Sequence, residues 1–142
     1  MNKRYFIFCS AKGKTSLTNK NKTILVTASA KRLGKFIAID LIKKGWKIAI
    51  HYNKSKTSAE ETADYLFKIG GNVSIHQADL TCNSDIEKLI NEIESQDSKW
   101  VGLINNAGYF NYDNGISFKE EELHRHMAVN FIAPTLLTKA LA

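Results

Sequence analysis

The segment from Thr27 to Gly34 combines residue types that suit the binding of phosphate groups. Ala28, Ser29 and Ala30 are all small, and they lie between a short apolar run and an amphipathic stretch. Small side chains let backbone N–H groups approach phosphate oxygens, and the start of a helix attracts their negative charge. A glycine at position 34 lets that helix pack closely against the strand. The pattern predicts a site for the pyrophosphate of a dinucleotide, although two of the three glycines usual in such a turn are absent.

Polar residues from His51 to Ser55 follow the second predicted strand and form a second candidate site. Dinucleotide-binding folds that select NAD place an acidic residue near here to bind the ribose 2′-hydroxyl, and this segment has none. His51, Lys54 and Ser55 can bind a 2′-phosphate instead, through charge and hydrogen bonds. The alternative is a polar loop in which Lys54 serves only solubility.

Near the chain end, Pro134 gives Asn130 an unusual position. Proline has no N–H, so the carbonyl of Asn130, four residues earlier, loses its helical partner. A kinked helix without chemistry is the alternative. His124 and His126 are two residues apart and face different sides of a helix, so we predict no metal site there. The acidic run 120–122 suits the positive end of a helix dipole.

The chain from residue 23 alternates between strand-like and helix-like stretches, which predicts a parallel sheet covered by helices. The predicted strands are 23–27, 47–51, 72–77 and 101–105. The predicted helices are 33–44, with Leu33, Phe36, Ile37 and Leu41 on its apolar face, 57–69, a third helix that begins with a Ser84–Glu87 capping box, and a last helix from about 118 to the chain end. We expect Gly45 to end the first helix in a left-handed conformation.

Composition limits the class of protein. The 142 residues are 44% hydrophobic and 24% charged with one proline, as in a single globular domain. Cys9 and Cys82 do not form a disulfide or zinc pattern, which favours a cytoplasmic setting. The net charge of +6 is spread over predicted helix surfaces and the N-terminal tail, so we predict neither a nucleic-acid nor a membrane partner.

Residues 1–22 are interpreted as a disordered extension that precedes a domain at 23–142. Within the extension, Gly13-Lys14-Thr15 looks like the end of a phosphate loop. Such a loop needs a glycine five positions before Gly13, where this chain has Phe8. A phosphate-loop nucleotide hydrolase is therefore the weakest of three hypotheses.

Two motifs resemble the short-chain dehydrogenase/reductase family. Asn105-Asn106-Ala107-Gly108 is similar to the N-N-A-G signature at the end of the fourth strand of that family. The turn at 27–34 is similar to the T-G-x-x-K-R-L-G turn of the pteridine-reductase branch, and only Ala28, in place of the first glycine, departs from it. The resemblance covers residues 23–142, about the first half of a family member.

The resemblance implies a Rossmann-type doubly wound parallel sheet, here reduced to about four strands in the order 3-2-1-4. It also implies NADP(H) as the cofactor, an oxidoreductase activity on a small-molecule substrate such as a pterin or another carbonyl or imine compound, and a homo-oligomer for the complete protein. Asp79 is then expected to bind the adenine amino group, Asn130 to be catalytic, and Phe110 to stack on the substrate. For Asp79 the alternative is a turn residue, and for Phe110 it is a residue that packs the loop onto the core. The predicted cofactor-binding residues are Thr27, Ser29, Lys31, Arg32, Leu33, Gly34, His51, Tyr52, Asn53, Lys54, Ser55, Asp79, Leu80, Asn106, Ala107 and Gly108, and the predicted substrate-binding residues are Arg32 and Phe110.

The family reaction also needs a serine and a Tyr-x-x-x-Lys pair after the last predicted helix, and the sequence stops at Ala142 before them. We therefore expect the N-terminal cofactor-binding half of a reductase, inactive alone. The second hypothesis is a nucleotide-binding or interaction module without catalysis, stabilised by a partner.

Overall fold

The computed structural model describes residues 19, 21–112, 116–117 and 119–142. The predicted extension, except for its last residues, and the Gly13-Lys14-Thr15 hypothesis lie outside the described residues. The strands are β1 (Lys22–Val26), β2 (Lys47–Tyr52), β3 (Val73–Gln77) and β4 (Lys99–Ile104). The helices are α1 (Arg32–Lys43), α2 (Lys56–Lys68), α3 (Asn83–Glu94), α4 (Glu120–Met127) and α5 (Ala133–Leu141), with a π-helical segment at Ala128–Ile132 between the last two.

The four strands form one parallel sheet in the order β3-β2-β1-β4, which confirms the predicted topology. Strand β1 lies between β2 and β4, so the chain changes direction across the sheet between β1 and β4. In open parallel sheets a crevice forms at such a switch point, outside the carboxyl ends of the strands.

Helices cover both faces of the sheet because β1 and β2 bury both sets of alternating side chains. Ile24 and Val26 of β1 pack with α1 and α2 in one core cluster. Leu25, between them, packs with α3 and α5 in a second cluster on the opposite face. Strands that are buried on both faces have nearly continuous apolar sequences, as 24–26 and 48–50 do here.

The expected apolar face of α1 is wrong at its N-terminal end. Leu33 and Phe36 are 65% and 68% exposed. Ala38, Leu41 and Ile42 form the buried side instead, and Ile37 lies at its edge. Small residues at the start of the buried face bring α1 close to the turn that precedes it.

The predicted capping box at Ser84 is also wrong. Helix α3 begins at Asn83, and its N-cap residue is Cys82. The hydroxyl of Ser84 contacts Cys82 Sγ at 3.1 Å, while Asp85 Oδ2 accepts a bond of 2.9 Å from the backbone N–H of Asp79. This carboxylate ties the start of α3 to the segment that follows β3.

The prediction for the end of the first helix is confirmed, because Gly45 follows the C-cap residue with φ of +83°. The last helical stretch is less regular than the sequence indicates. It begins at Glu120, widens into the π-helical segment and resumes at α5, where Pro134 occupies the first turn. Within the described part of the chain, no helix is both long and apolar enough to cross a membrane.

Candidate functional site

The turn between β1 and α1 contains a backbone conformation that favours glycine. Ala28 has φ of +52°, in the left-handed region, and this is the position where the sequence departs from the glycine of the motif. Arg32, which begins α1, has φ of +51°. A non-glycine residue in this region costs about 1–2 kcal/mol. The turn is thus strained at two points, and its neighbours must hold it in place.

Gly34 allows α1 to approach that turn. A Cβ atom at this position would lie 2.5 Å from the carbonyl oxygen of Ala28 and 2.7 Å from both Asn106 Nδ2 and Ser29 Cα. No side chain fits within those distances. The prediction that a glycine is needed here for close packing is therefore supported by the geometry.

Thr27 and Asn106 join the turn to the end of β4. Thr27 Oγ1 accepts bonds of 2.9 Å from the backbone N–H groups of Asn106 and Ala107. Asn106 Nδ2 donates to the carbonyl oxygens of Thr27 and Ala28, at 2.9 and 3.2 Å. The N-N-A-G segment and the turn therefore form one rigid unit at the switch point of the sheet.

His51 bonds the turn from the side of β2, and its side chain does not support the predicted attraction of a phosphate by charge. The ring is 2% exposed, and its Nδ1 accepts a bond of 3.0 Å from the backbone N–H of Ala28. Its Nε2 lies 3.1 Å from the carbonyl oxygen of Ala78 and donates to it. Burial lowers the pKa of His51 to about 4, so the imidazole is neutral and cannot attract a phosphate by charge.

A cleft of about 360 Å³ opens where the carboxyl ends of the four strands meet. Seven of the predicted site residues line it, and they come from the end of β2 and from the loops after β2, β3 and β4. Its walls are formed by Ala28, His51, Asn53, Lys54, Asp79, Leu80, Thr81, Ala107, Gly108, Tyr109, Arg125 and Val129.

Asp79 presents an ionised carboxylate to this cleft. The backbone N–H and the hydroxyl of Thr81 donate to Asp79 Oδ1 at 2.9 and 2.7 Å. These bonds, with smaller effects of Asn53 and Lys54, hold the pKa of Asp79 below its usual value. The carboxylate remains a hydrogen-bond acceptor at the end of β3, as required of a residue that binds an amino group.

The other predicted cofactor residues lie around the cleft rather than on its wall. Thr27, Ser29, Gly34 and Asn106 form the support beneath the turn. Lys31, Arg32 and Leu33 are exposed at the start of α1. Tyr52 packs against the core next to α1 and α2, and Ser55 is the N-cap residue of α2.

Asn130 binds a neighbouring loop through its side chain. Its Oδ1 accepts the backbone N–H of Tyr109 and its Nδ2 donates to the carbonyl of Tyr109, both at 2.8 Å. The residue lies in the π-helical segment, an irregularity that often marks functional sites. The carboxamide thus fixes the segment directly after Gly108, a role that the proline spacing did not indicate.

Two polar side chains that the sequence did not suggest, those of Tyr109 and Arg125, belong to the lining of the cleft. Arg125 and Tyr109 line the cleft wall, and the Tyr109 hydroxyl donates to Glu122 Oε2 at 2.5 Å. The guanidinium of Arg125 lies 6.0 Å from the centre of the Tyr109 ring and 3.3 Å from Glu122 Oε1. Only the spacing of Glu122 and Arg125 on one helical face could have signalled this pair.

The short chain dehydrogenase family model matches residues 22–142. The chain belongs to the short-chain dehydrogenase family. It is 37% identical over 87 residues to the short-chain dehydrogenase/reductase homolog YusS of Bacillus subtilis, and this match covers 61% of the chain and 80% of YusS. It is 35% identical over 94 residues to the hydroxynaphthalene reductase arp2 of Aspergillus fumigatus, over 66% of the chain and 34% of arp2.

Among solved structures, the chain resembles the FolM alternative dihydrofolate reductase 1 from Brucella suis in complex with NADP. The TM-score is 0.79 at 33% identity, and the match covers 86% of this chain and 50% of that chain. The chain thus spans about half the length of the Brucella protein and a third of the Aspergillus reductase.

Phe110 lies just outside the cleft of this short-chain dehydrogenase domain. Its ring is 74% exposed and makes edge contacts with Tyr112 and His126, at centroid distances of 5.1 and 6.2 Å. The alternative prediction, that Phe110 packs the loop onto the core, is wrong because the side chain is not buried. The ring is available for stacking.

Proposed function

We propose that this chain is the N-terminal, NADP(H)-binding part of a short-chain oxidoreductase. The observation that carries the proposal is the position of Lys54, which lines the cleft where β2 ends, in a segment 51–55 without acidic residues. An ammonium group here favours a ribose 2′-phosphate, whereas selection of NAD needs a carboxylate for the 2′-hydroxyl. Because His51 is neutral, Lys54 alone supplies the positive charge of this segment.

The turn after β1 fits the pyrophosphate of such a cofactor. Lys31, the N-cap residue of α1, makes no side-chain capping bond, and the first turn of α1 contains no acidic residue. The first backbone N–H groups and the positive end of the helix dipole are therefore suited to bind phosphate. Gly34 keeps side-chain atoms out of the space between the helix and the turn.

The remaining walls fit the two ends of the cofactor. The ionised carboxylate of Asp79 accepts a hydrogen bond from the adenine amino group, and Leu80 offers an apolar surface beside it. Ala107 and Gly108, after β4, leave space at the nicotinamide end. When bound, the cofactor supplies a hydride to a carbonyl or imine carbon.

We further propose that the complete protein reduces a pterin or another small carbonyl or imine compound. The exposed ring of Phe110 can stack on a flat heterocycle, and Asn130 holds the backbone next to it in a fixed position. Arg32 is exposed at the start of α1 and can bind a polar edge of the substrate. The likeness to an alternative dihydrofolate reductase supports a pterin.

Calorimetric titration of the 142-residue chain with NADPH and with NADH tests the cofactor proposal. We expect saturable binding that favours NADPH, and Lys54→Ala should weaken NADPH binding by about tenfold, which corresponds to ~1.4 kcal/mol, while NADH binding changes little. Lys68→Ala, which removes an exposed lysine at the end of α2, is the matched control and should have no effect. Equal affinity for both cofactors, or equal effects of the two substitutions, would contradict the proposal.

The substrate proposal has a separate test. A pterin titrated into the NADP-saturated chain should bind, and Phe110→Ala should weaken that binding. Phe67→Ala is the matched control because Phe67, on α2, is also 74% exposed. If both variants bind the pterin as the parent chain does, Phe110 is not part of the site.

The hypothesis of a module without catalysis makes a different prediction. Such a module forms a stable assembly with a partner in the absence of any segment that carries a Tyr-x-x-x-Lys pair. The exposed apolar side chains of Leu123, Met127, Phe131 and Ile132 on the last helices are consistent with an oligomer or another partner. The predicted homo-oligomer and the predicted cytoplasmic location stay predictions.

A further inference from the structure

The turn after β1 is joined to a single residue of β2 by three hydrogen bonds. The N–H of Ala28 donates to His51 Nδ1 at 3.0 Å, and the N–H of Ser29 donates to the carbonyl oxygen of His51 at 3.0 Å. The N–H of His51 in turn donates to Ser29 Oγ at 3.2 Å. No other side chain among the described residues accepts a bond from the Ala28 N–H in the structure.

The imidazole also bonds Ala78, the residue that follows β3. Because Nδ1 accepts a hydrogen bond from the N–H of Ala28, the neutral ring carries its own proton on Nε2, which donates to the carbonyl of Ala78. Ala78 directly precedes Asp79, which lines the cleft as Ala28 does. One buried ring therefore connects the turn after β1 with the segment that carries Asp79.

Ala28 has a strained backbone conformation that the bond to His51 can stabilise. A glycine would adopt φ of +52° without penalty, whereas an alanine relaxes towards negative φ unless its neighbours prevent it. Relaxation would rotate the Ala28 peptide groups and break the bond to His51 Nδ1. Asn106 Nδ2 holds the carbonyl side of the same residue at 3.2 Å, so both peptide groups of Ala28 are held by side chains.

We infer that His51 is a positioning residue, which holds the strained Ala28 turn in its cofactor-binding shape. The inference rests on the proposed function for its effect on NADP(H), but not for its effect on the turn. His51 acts through the turn and, being buried and bonded at both nitrogens, does not bind the 2′-phosphate.

Two polar substitutions separate the two bonds of the ring. His51→Asn places an acceptor near the position of Nδ1 and can keep the bond from Ala28, whereas His51→Gln places a donor near Nε2 and can keep only the bond to Ala78. We expect His51→Asn to bind NADPH within about twofold of the parent chain and His51→Gln to bind about tenfold more weakly, as for the loss of one buried hydrogen bond.

Ala28→Gly supplies the decisive comparison because it removes the strain that His51 opposes. In that background the difference between His51→Asn and His51→Gln should disappear. His76→Leu is the matched control: His76 is the register partner of His51 on β3 and is buried, but it bonds Glu92 and Ser74 rather than the turn. The control should lower stability without any link to the turn, so we expect His76→Leu to have the same effect in the parent chain and in the Ala28→Gly background.

The same variants are measured by urea unfolding, which does not depend on the cofactor. If NADPH does not bind the parent chain but the unfolding midpoints show coupling between positions 28 and 51, the proposed function fails and the inference about the turn stands. Equal effects of His51→Asn and His51→Gln on both readouts, or a difference that Ala28→Gly leaves unchanged, would overturn the inference.

Discussion

Replacement of Ala28 by glycine should stabilise this short-chain dehydrogenase domain, although glycine at an ordinary position destabilises. The left-handed conformation of Ala28 costs about 1–2 kcal/mol, which a glycine avoids. Glycine loses about 0.5–1 kcal/mol more backbone entropy on folding than alanine. The difference predicts a net gain of about 0.5–1 kcal/mol in the free energy of unfolding. Ala28 also lines the cleft, so we expect its replacement by the smaller glycine to raise the affinity for NADPH.

Urea unfolding, followed by circular dichroism, measures this gain. Ala63→Gly, within α2, is the control, and we expect it to lower the free energy of unfolding by about 1 kcal/mol or more, since it loses helix propensity and a buried methyl group. If Ala28→Gly lowers the stability as much as Ala63→Gly does, Ala28 is not in the left-handed conformation and the reasoning about the turn is refuted.

Three further predictions concern residues around the same turn. Burial lowers the pKa of His51 from 6.5 to about 4, so the unfolded chain binds a proton at this residue at a higher pH than the folded chain does. The free energy of unfolding is therefore highest above pH 6.5, and about 3 kcal/mol of it is lost as the pH falls from 6.5 towards 4. Unfolding measured across this range should show a flatter profile for His51→Asn, and an unchanged profile would contradict the assignment. Gly34→Ala should lower the free energy of unfolding by at least about 1–3 kcal/mol, because its Cβ would lie 2.5 Å from the carbonyl oxygen of Ala28. Gly108→Ala should change it little, because the nearest atom to its Cβ would be Asn130 Oδ1 at 3.8 Å. Equal unfolding midpoints for the two variants would show that α1 can move aside. Asn130→Ala removes both bonds to the Tyr109 backbone and should accelerate amide exchange at 108–110, and unchanged exchange would mean that the loop is held otherwise.

The arrangement of the strands follows from the sequence because it depends on pattern more than on detail. Apolar runs at 24–26 and 48–50 identify strands that are buried on both sides, and the helices between them require parallel neighbours. Gly45 and Gly34 were predictable because a left-handed helix end and a close approach each exclude a side chain.

The roles of individual polar residues were less predictable because they depend on tertiary neighbours. His51 and Lys54 are equally polar in the sequence, yet one is buried beneath the turn and neutral, and the other faces the cleft. The start of α3 was misplaced because Asp85 bonds the segment after β3 instead of the helix end. Arg125 joins the cleft only because α4 lies beside the loop after β4.

Amide chemical-shift mapping of the isotope-labelled chain with NADPH shows whether NADP(H) binds at the carboxyl ends of the strands. We expect saturable shifts concentrated at 27–34, 53–54, 79–81 and 107–109, with smaller shifts for NADH near Lys54. Saturable shifts confined to another surface, such as the groove between α3 and α5 lined by Ile86, Ile90 and Leu136, would contradict it, as would the absence of shifts from a folded chain.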